Sequence, residues 1–306
     1  MPAAVRAAAS PMAAASFDAW MRAELQAVED RLETWVPVDA PAGLGEAMRY
    51  GVLDGGKRLR PLLVLAASQA VQGAREAALR AAVSVELIHA YSLIHDDMPC
   101  MDNDVLRRGK PTVHVHYGQA QAMLAGDAMQ ALAFEVLTPD SGVEPVLQAR
   151  LCALLARAAG HAGMAGGQAI DLASIGKPLD EPALSDMHRR KTGALLQASV
   201  LMGAACGECD VRAWAALADY GAALGLAFQV VDDILDVTQE SHTLGKTAGK
   251  DLNDNKPTYV SVLGLEAARR QAAALRDKAQ QALRRSALAG TATLAQLADM
   301  VVDRES

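Results

Sequence analysis

Two aspartate clusters constrain this chain more than any other feature. They are Asp96-Asp97-Met-Pro-Cys-Met-Asp102 and Asp232-Asp233-Ile-Leu-Asp236, and each closes a strongly apolar, helix-like run. Carboxylates are costly to bury, and on helices they ordinarily lie on the wet face. Two clusters at the ends of apolar segments therefore call for a compensating charge, and a hard divalent cation supplies one. Mg2+ takes oxygen ligands, keeps several waters and is held by one or two carboxylates together with substrate phosphates. In the second cluster Asp232 and Asp236 stand at i and i+4, so both project from one helix face. The first cluster is two residues longer and contains Pro99, which lacks an N–H and breaks the helical ladder. The helix is expected to end or bulge there and to bring Asp102 back beside Asp96.

The rest of the chain reads as helical. Hydrophobic residues make up 51% and aromatics only 4%. Much of the apolar content is alanine, the best helix former, and β-branched residues do not dominate. Ser16 reads as the N-cap of a helix over 17–35. Further helices are expected at 44–53, 57–71, 75–97, 115–137, 144–159, 164–173, 181–206 and 211–237, and again after Pro257. Arg107 to Pro111 reads as a basic loop, and the polar segment 242–256 as another. No alternating strand pattern, divided linker or repeat period appears. The expectation is one all-α domain of about ten helices over 17–306, preceded by an Ala-rich tail over 1–16, with the two aspartate-bearing helices at its centre.

Charge and cysteines exclude several classes of function. A formal net charge of −7 offers no basic field to attract nucleic acid or an anionic membrane. No run reaches the ~18 consecutive apolar residues of a membrane span. Residues 1–16 lack the basic-then-apolar layout of an export signal. Of the four cysteines, Cys206 and Cys209 have CxxC spacing, but no second pair completes a zinc site, so they read as thiols in an interhelical turn. A reducing cytoplasm is the natural setting.

An acidic protein that binds an anion must concentrate its cations locally, and this one does. Lys57 and Arg60 lie at i and i+3 near an expected helix N-terminus, whose free N–H groups favour anions. Arg107 and Arg108 follow the first aspartate cluster, Lys191-Thr192 lies in a helical stretch, and Lys246, Lys250 and Lys256 follow the second cluster. Arginine grips phosphate in a two-pronged fashion, while lysine acts as a compact charge. Several cationic sites beside two carboxylate clusters suggest two diphosphates, one bound through metal and one through Arg and Lys. Taken singly these signals are weak: a lone DDxxD is common by chance, His89 on an apolar face reads as an ordinary core residue, and a lysine loop as a solvated face. Their combination and order carry the specificity.

That order resembles the trans-isoprenyl diphosphate synthases. GGKRLRP, HAYSLIHDDMPCMDNDVLRRGKPT, GGQAIDL, KTGALL, FQVVDDILD and GKTAGKD followed by KPTY occur in the family's sequence, most closely from Glu46 to Gly264. The insertion Pro99-Cys100 is similar to that of the bacterial farnesyl diphosphate synthase branch, which shares it with plant-type geranylgeranyl synthases. The resemblance implies a homodimeric bundle of antiparallel helices around a deep apolar cleft, with a trio of Mg2+ ions in each active site. It implies that Asp96, Asp97, Asp102, Asp232, Asp233 and Asp236 form the metal-binding region, with Asp96, Asp102 and Asp232 as direct ligands. Lys57, Arg60, His89 and Arg108 would hold isopentenyl diphosphate. Arg107, Lys191, Thr192, Gln229, Lys246 and Lys256 would hold the allylic diphosphate and promote its ionisation.

Tyr91 lies five residues before Asp96, about 7.5 Å along a helix axis at 1.5 Å per residue. It is followed by the small Ser92. By itself a tyrosine there reads equally as ordinary core packing. In the family this position governs chain length, and an aromatic residue is similar to those that stop at the fifteen-carbon farnesyl product. A geranylgeranyl synthase is the alternative. A terpene cyclase resembles the chain less, since it carries an Asn/Ser/Glu motif in second place and lacks a counterpart to Lys57 and Arg60. A non-catalytic synthase subunit would be expected to have lost aspartates that are all present here.

Overall fold

The computed structural model describes residues 11–53, 55–177, 179–238 and 258–304. In the first half, helices α1 (Pro11–Trp35), α2 (Leu44–Val52), α3 (Leu59–Ala70) and α4 (Arg75–Asp96) follow the expected segments closely. The first begins at Pro11, upstream of the expected cap at Ser16, so part of the Ala-rich stretch read as a tail is helical.

Three further places differ from the sequence expectation. The helix expected over 115–137 is split into α5 (Val113–Tyr117) and α6 (Gln119–Leu137) by Gly118, whose φ of 87° and ψ of 159° suit glycine alone. After α7 (Pro145–Ala159) and α8 (Met164–Ala173), the helix expected over 181–206 is continuous but widens. One π turn over Arg189–Gly193 separates α9 (Glu181–His188) from α10 (Ala194–Ala205). The basic loop is a small antiparallel hairpin, β1 (Leu106–Arg107) and β2 (Lys110–Pro111), with Arg107 opposite Lys110. Its two turn residues, Arg108 and Gly109, both have positive φ, the backbone that a tight hairpin requires.

The chain continues with α11 (Val211–Thr238), α12 (Tyr259–Leu263), α13 (Leu265–Ser286) and α14 (Ala292–Asp303). A capping box between Thr258 and Ser261 starts α12. The expected loop over 242–256 lies outside the described residues, and so do Lys246, Lys250 and Lys256. Cys206 and Cys209 sit between α10 and α11, unpaired as expected.

The two aspartate-bearing helices are central. Helix α4 packs on α3, α6 and α10, and α11 packs on α10 and α13. Around α4 the core contains Val28, Leu32, Leu87, Ile88, Met129 and Leu155. A second cluster joins Leu62, Leu63, Leu196, Leu217, Leu224 and Leu297 across α3, α10, α11 and α14. Trp20 and Trp214 touch both, so the core is continuous. Each fully buried Leu or Ile stabilises it by about 1.5–3 kcal/mol. Both α4 and α11 are long and apolar enough to cross a membrane by length and composition, with a mean hydropathy of 1.3. Counting consecutive apolar residues did not reveal this. Yet 72% and 50% of those apolar windows are buried inside the protein, as core helices require.

Candidate active site

The first aspartate cluster folds as the proline predicts. Helix α4 ends at Asp96, and the following turn brings the Asp102 N–H onto the Asp96 carbonyl at 2.8 Å. Asp104 N–H donates to the Asp97 carbonyl at 3.0 Å, and Asn103 takes a left-handed φ of 52° to complete the turn. Asp96 and Asp102 therefore share one wall. Burial, reinforced by Asp102, raises the Asp96 carboxyl to about 6 against the pull of Lys191.

Asp97 points elsewhere. It is 3% exposed and receives the Arg107 guanidinium side-on, Nε at 2.9 and 2.8 Å from its two oxygens and Nη2 at 2.6 Å from Oδ1. Burial pushes this carboxyl up and Arg107 opposes the push. The resemblance groups Asp97 with the metal-binding residues; the geometry gives it Arg107 to hold.

The second cluster divides in the same way. Asp232 faces inward from α11 and pairs with Arg304 at 3.1 Å. Arg304 also donates to the Phe228 carbonyl at 2.9 Å and lies over the Phe228 ring at 4.1 Å. Asp233 is 2% exposed. Its Oδ1 accepts from Gln229 Nε2 at 2.9 Å and its Oδ2 from the Tyr259 N–H at 2.7 Å. Asp236 is buried as well. Neither Asp233 nor Asp236 is among the residues that line the cavity described below.

The π turn carries the KTG motif. It lets Thr192 Oγ1 donate to Gln229 Oε1 at 2.9 Å, which fixes the amide so that its nitrogen faces Asp233. Lys191 is held by Asp171 on α8, Nζ to Oδ2 2.5 Å. A Cβ at Gly167 would overlap the Lys191 backbone, so only glycine lets α8 approach this closely. A single turn of π-helix is a frequent device at functional sites.

On the opposite side, Lys57 and Arg60 open α3. Burial lowers the Lys57 ammonium, with nearby Arg304 adding to the effect, and lowers Arg60 to about 10 against Glu86 and Asp232. Arg108 donates to the Gly55 carbonyl and packs on Gly56. His89 lies among these cations. Burial and then Arg60 and Arg108 hold its imidazole well below its ordinary range, so it is neutral near pH 7.

These walls enclose one cavity of about 680 Å3. Asp96, Asp102, Arg107, Lys191, Thr192, Gln229 and Asp232 line it together with Lys57, Arg60, His89 and Arg108. It shares Arg60, His89, Leu93, Asp96, Lys191 and Thr192 with a second space of about 380 Å3, lined further on by Tyr91, Ser92, His95, Met101, Met164 and Leu172. The Tyr91 ring meets the His95 ring edge-on, centroids 5.8 Å apart. Of the sequence-derived site residues within the described part, only Asp97, Asp233 and Asp236 line neither space.

The donor set fits a hard divalent cation. Carboxylate oxygens from Asp96, Asp102 and Asp232 face one cavity, and a cation there would relieve the cost of ionising Asp96. Among the described residues no three His, Cys, Asp or Glu side chains form a complete ligand cage. Mg2+ does not require one, because waters and substrate phosphates fill its remaining positions.

Sequence reasoning missed Asp171, Arg58, Glu86, His188 and Arg304. Asp171 and Arg58 stand within the GGQAIDL and GGKRLRP motifs and were open to being singled out; nothing in the sequence marks Arg304. His188 is 5% exposed beside Asp233, Nε2 to Oδ2 4.0 Å, and burial lowers it to about 4.

Known proteins resemble this chain over most of its length. The family model described as polyprenyl synthetase matches residues 41–293. The farnesyl diphosphate synthase of Escherichia coli is 48% identical over 264 residues, 85% of this chain and 88% of that protein. Geranylgeranyl pyrophosphate synthase 9 of Arabidopsis thaliana chloroplasts is 47% identical over 272 residues, 87% of this chain and 76% of that protein. The apo crystal structure of an FPP/GFPP synthase from Zymomonas mobilis superposes with a TM-score of 0.85 at 42% identity, covering 94% of this chain and 99% of that one.

Proposed function

The chain belongs to the polyprenyl synthetase family and is a prenyltransferase, and from that premise we propose that it joins isopentenyl diphosphate to dimethylallyl and then geranyl diphosphate, releasing farnesyl diphosphate. The observation that carries this reading is the two-sided cavity: carboxylates with Lys191 on one wall, Lys57, Arg60 and Arg108 on the other, and an adjoining space that shares its lining and has Tyr91 among its further residues.

The two walls divide the two diphosphates. Arg60, Lys57 and Arg108 hold isopentenyl diphosphate by charge-assisted contacts. The allylic diphosphate lies against Lys191 and Arg107, each already oriented by its own buried carboxylate, Asp171 and Asp97. Lys246 and Lys256 join them in this proposal. Fixed cations cost no reorganisation when negative charge gathers on the departing diphosphate. Members of the family use Mg2+; Asp96, Asp102 and Asp232 would hold it, as a trio of ions in this proposal, and it would supply further neutralisation of that charge. As the allylic C–O bond breaks, the carbon chain becomes cationic. The Gln229 amide, locked between Thr192 and Asp233, and the Thr192 hydroxyl present fixed dipoles at the same wall. Neutral His89 adds no charge that would repel the cation. The Leu93, Met164 and Leu172 side chains exclude water that would quench it. The double bond of isopentenyl diphosphate then attacks, and the released diphosphate takes the proton.

The Tyr91 and His95 rings supply the floor that favours a fifteen-carbon product over geranylgeranyl diphosphate. A homodimer is part of the same reading, supported by exposed Val115, Met123 and Leu124 along α5 and α6, and so is a cytoplasmic setting, supported by four unpaired thiols. Chromatography of products from purified protein, isopentenyl diphosphate, dimethylallyl diphosphate and Mg2+ tests the proposal. Mainly farnesyl diphosphate is expected. A mainly twenty-carbon product overturns the floor assignment, and no condensation at all overturns the reaction.

A further inference from the structure

Arg58 stands between the two cations assigned to isopentenyl diphosphate and borders the same cavity, yet its side chain is buried against other partners. Its backbone is left-handed, with φ 44° and ψ 33°, a conformation that a non-glycine residue keeps only where its surroundings hold it. What holds it is a guanidinium that makes four hydrogen bonds. Nε donates to Glu29 Oε1 at 2.7 Å and Nη2 to Glu29 Oε2 at 3.2 Å. Nη1 donates to Glu86 Oε1 at 2.7 Å, and Nη2 also to the Val52 carbonyl at 2.6 Å. The Arg58 and Glu86 side chains are 1% and 3% exposed, and Glu29 is 28% exposed. Burial works against the charge of Arg58, but Glu86 and Glu29 outweigh it and raise its pKa.

The partners come from three different elements. Glu29 lies on α1, Val52 ends α2, and Glu86 lies on α4, three residues before His89. Arg58, the N-cap of α3, therefore ties the start of that helix to the rest of the bundle. Lys57 is exposed, and the Nε of buried Arg60 finds no partner among the described residues. Both side chains spring from backbone that flanks the clamped Arg58.

We propose that Arg58, clamped by Glu86 and Glu29, is a positioning residue that sets Lys57 and Arg60 for the isopentenyl diphosphate. This rests on the reading that Lys57, Arg60 and Arg108 form that site. The clamp replaces conformational search with one prepared geometry, which favours binding of one diphosphate and leaves the other unaffected.

Steady-state kinetics on the purified full chain tests it, each substrate being varied in turn with Mg2+ in excess. Asparagine tolerates left-handed backbone, so Arg58→Asn removes the guanidinium and spares the conformation. It is expected to raise the KM for isopentenyl diphosphate about tenfold and leave that for the allylic substrate within about twofold. Arg58→Lys keeps a charge without the fork and should recover only part of the loss. Glu29→Gln removes the more exposed clamp and should give a rise of about threefold in the same KM alone. It decides the matter if Arg58→Asn fails to fold. Arg60→Ala is the reference. If it weakens isopentenyl diphosphate selectively while Glu29→Gln and any folded Arg58→Asn change only the Tm, or raise both KM values alike, the positioning role is overturned and the site stands. If Arg60→Ala itself raises both KM values equally, the site assignment falls and the proposal falls with it.

Discussion

Replacing Asp97 by asparagine keeps the side-chain volume and removes the charge that holds Arg107. Three nitrogen–oxygen contacts of 2.6 to 2.9 Å join the two side chains, which are 4% and 31% exposed. Breaking a fully buried pair by removing one partner costs about 3–5 kcal/mol. Arg107 reaches water and has Asp104 as a second carboxylate at 3.9 Å, so the loss here is smaller, about 2–3 kcal/mol. Expressed in transition-state binding, that is a fall of roughly 30- to 150-fold in kcat/KM. Arg107→Ala should produce a similar fall. The discriminating measurement is the double variant. If Asp97 acts through Arg107, adding Asp97→Asn to Arg107→Ala costs at most ~0.5 kcal/mol more. A direct metal ligand would behave otherwise, because its contribution survives the loss of Arg107. Equal costs of Asp97→Asn in the two backgrounds would refute the assignment of Asp97 to Arg107.

Asp96→Ala and Asp232→Ala should each lower kcat by several orders of magnitude with the circular dichroism spectrum unchanged, since both face the cavity where charge develops; a fall confined to KM would contradict this. Tyr91→Ala should lengthen the product to geranylgeranyl diphosphate or beyond by joining the tyrosine volume to the cleft, and a variant that still stops at farnesyl diphosphate removes Tyr91 as the floor. Asp96 offers a test of pH dependence. Its carboxyl is raised from 3.8 to about 6 by burial, so the folded protein favours its protonated form, and the stability it contributes is present at low pH and lost as the pH rises through about 6. With chelator present, the difference in Tm between wild type and Asp96→Asn should change between pH 4 and pH 7 in that direction, and parallel melting curves across that range would exclude it.

Much of the fold and site was legible because it is local. Carboxylates at the ends of apolar runs, a proline two residues beyond Asp97, glycines before a cationic helix start: each is decided by neighbours in sequence. Three features were not. Arg304 reaches Asp232 across 72 residues, Arg58 reaches Glu29 and Glu86 across 29 and 28, and Lys191 reaches Asp171 across 20. Each such partner could have been supplied from many places in the chain, so the sequence alone does not choose it. The π turn and the split at Gly118 were hidden for a related reason: helix propensity describes the residues well, and packing of a neighbouring helix selects the exception.

The aspartates show most clearly where sequence reasoning stops. A motif counts carboxylates, but successive residues on a helix point about 100° apart, so two adjacent aspartates meet different surroundings. In both clusters the first of the pair, Asp96 or Asp232, faces inward. In both, the second is buried and holds a neighbour: Asp97 takes Arg107, and Asp233 takes Gln229 and the first N–H of α12. The same division on two helices that approach from opposite walls follows from a common requirement. The inward carboxylates must be oriented by something, and the residue one step along the helix is the nearest group that can anchor the surrounding side chains. On this argument the second aspartate of each pair serves the geometry of its neighbours, and its loss should cost what Arg107 or Gln229 contributes when it is held in place.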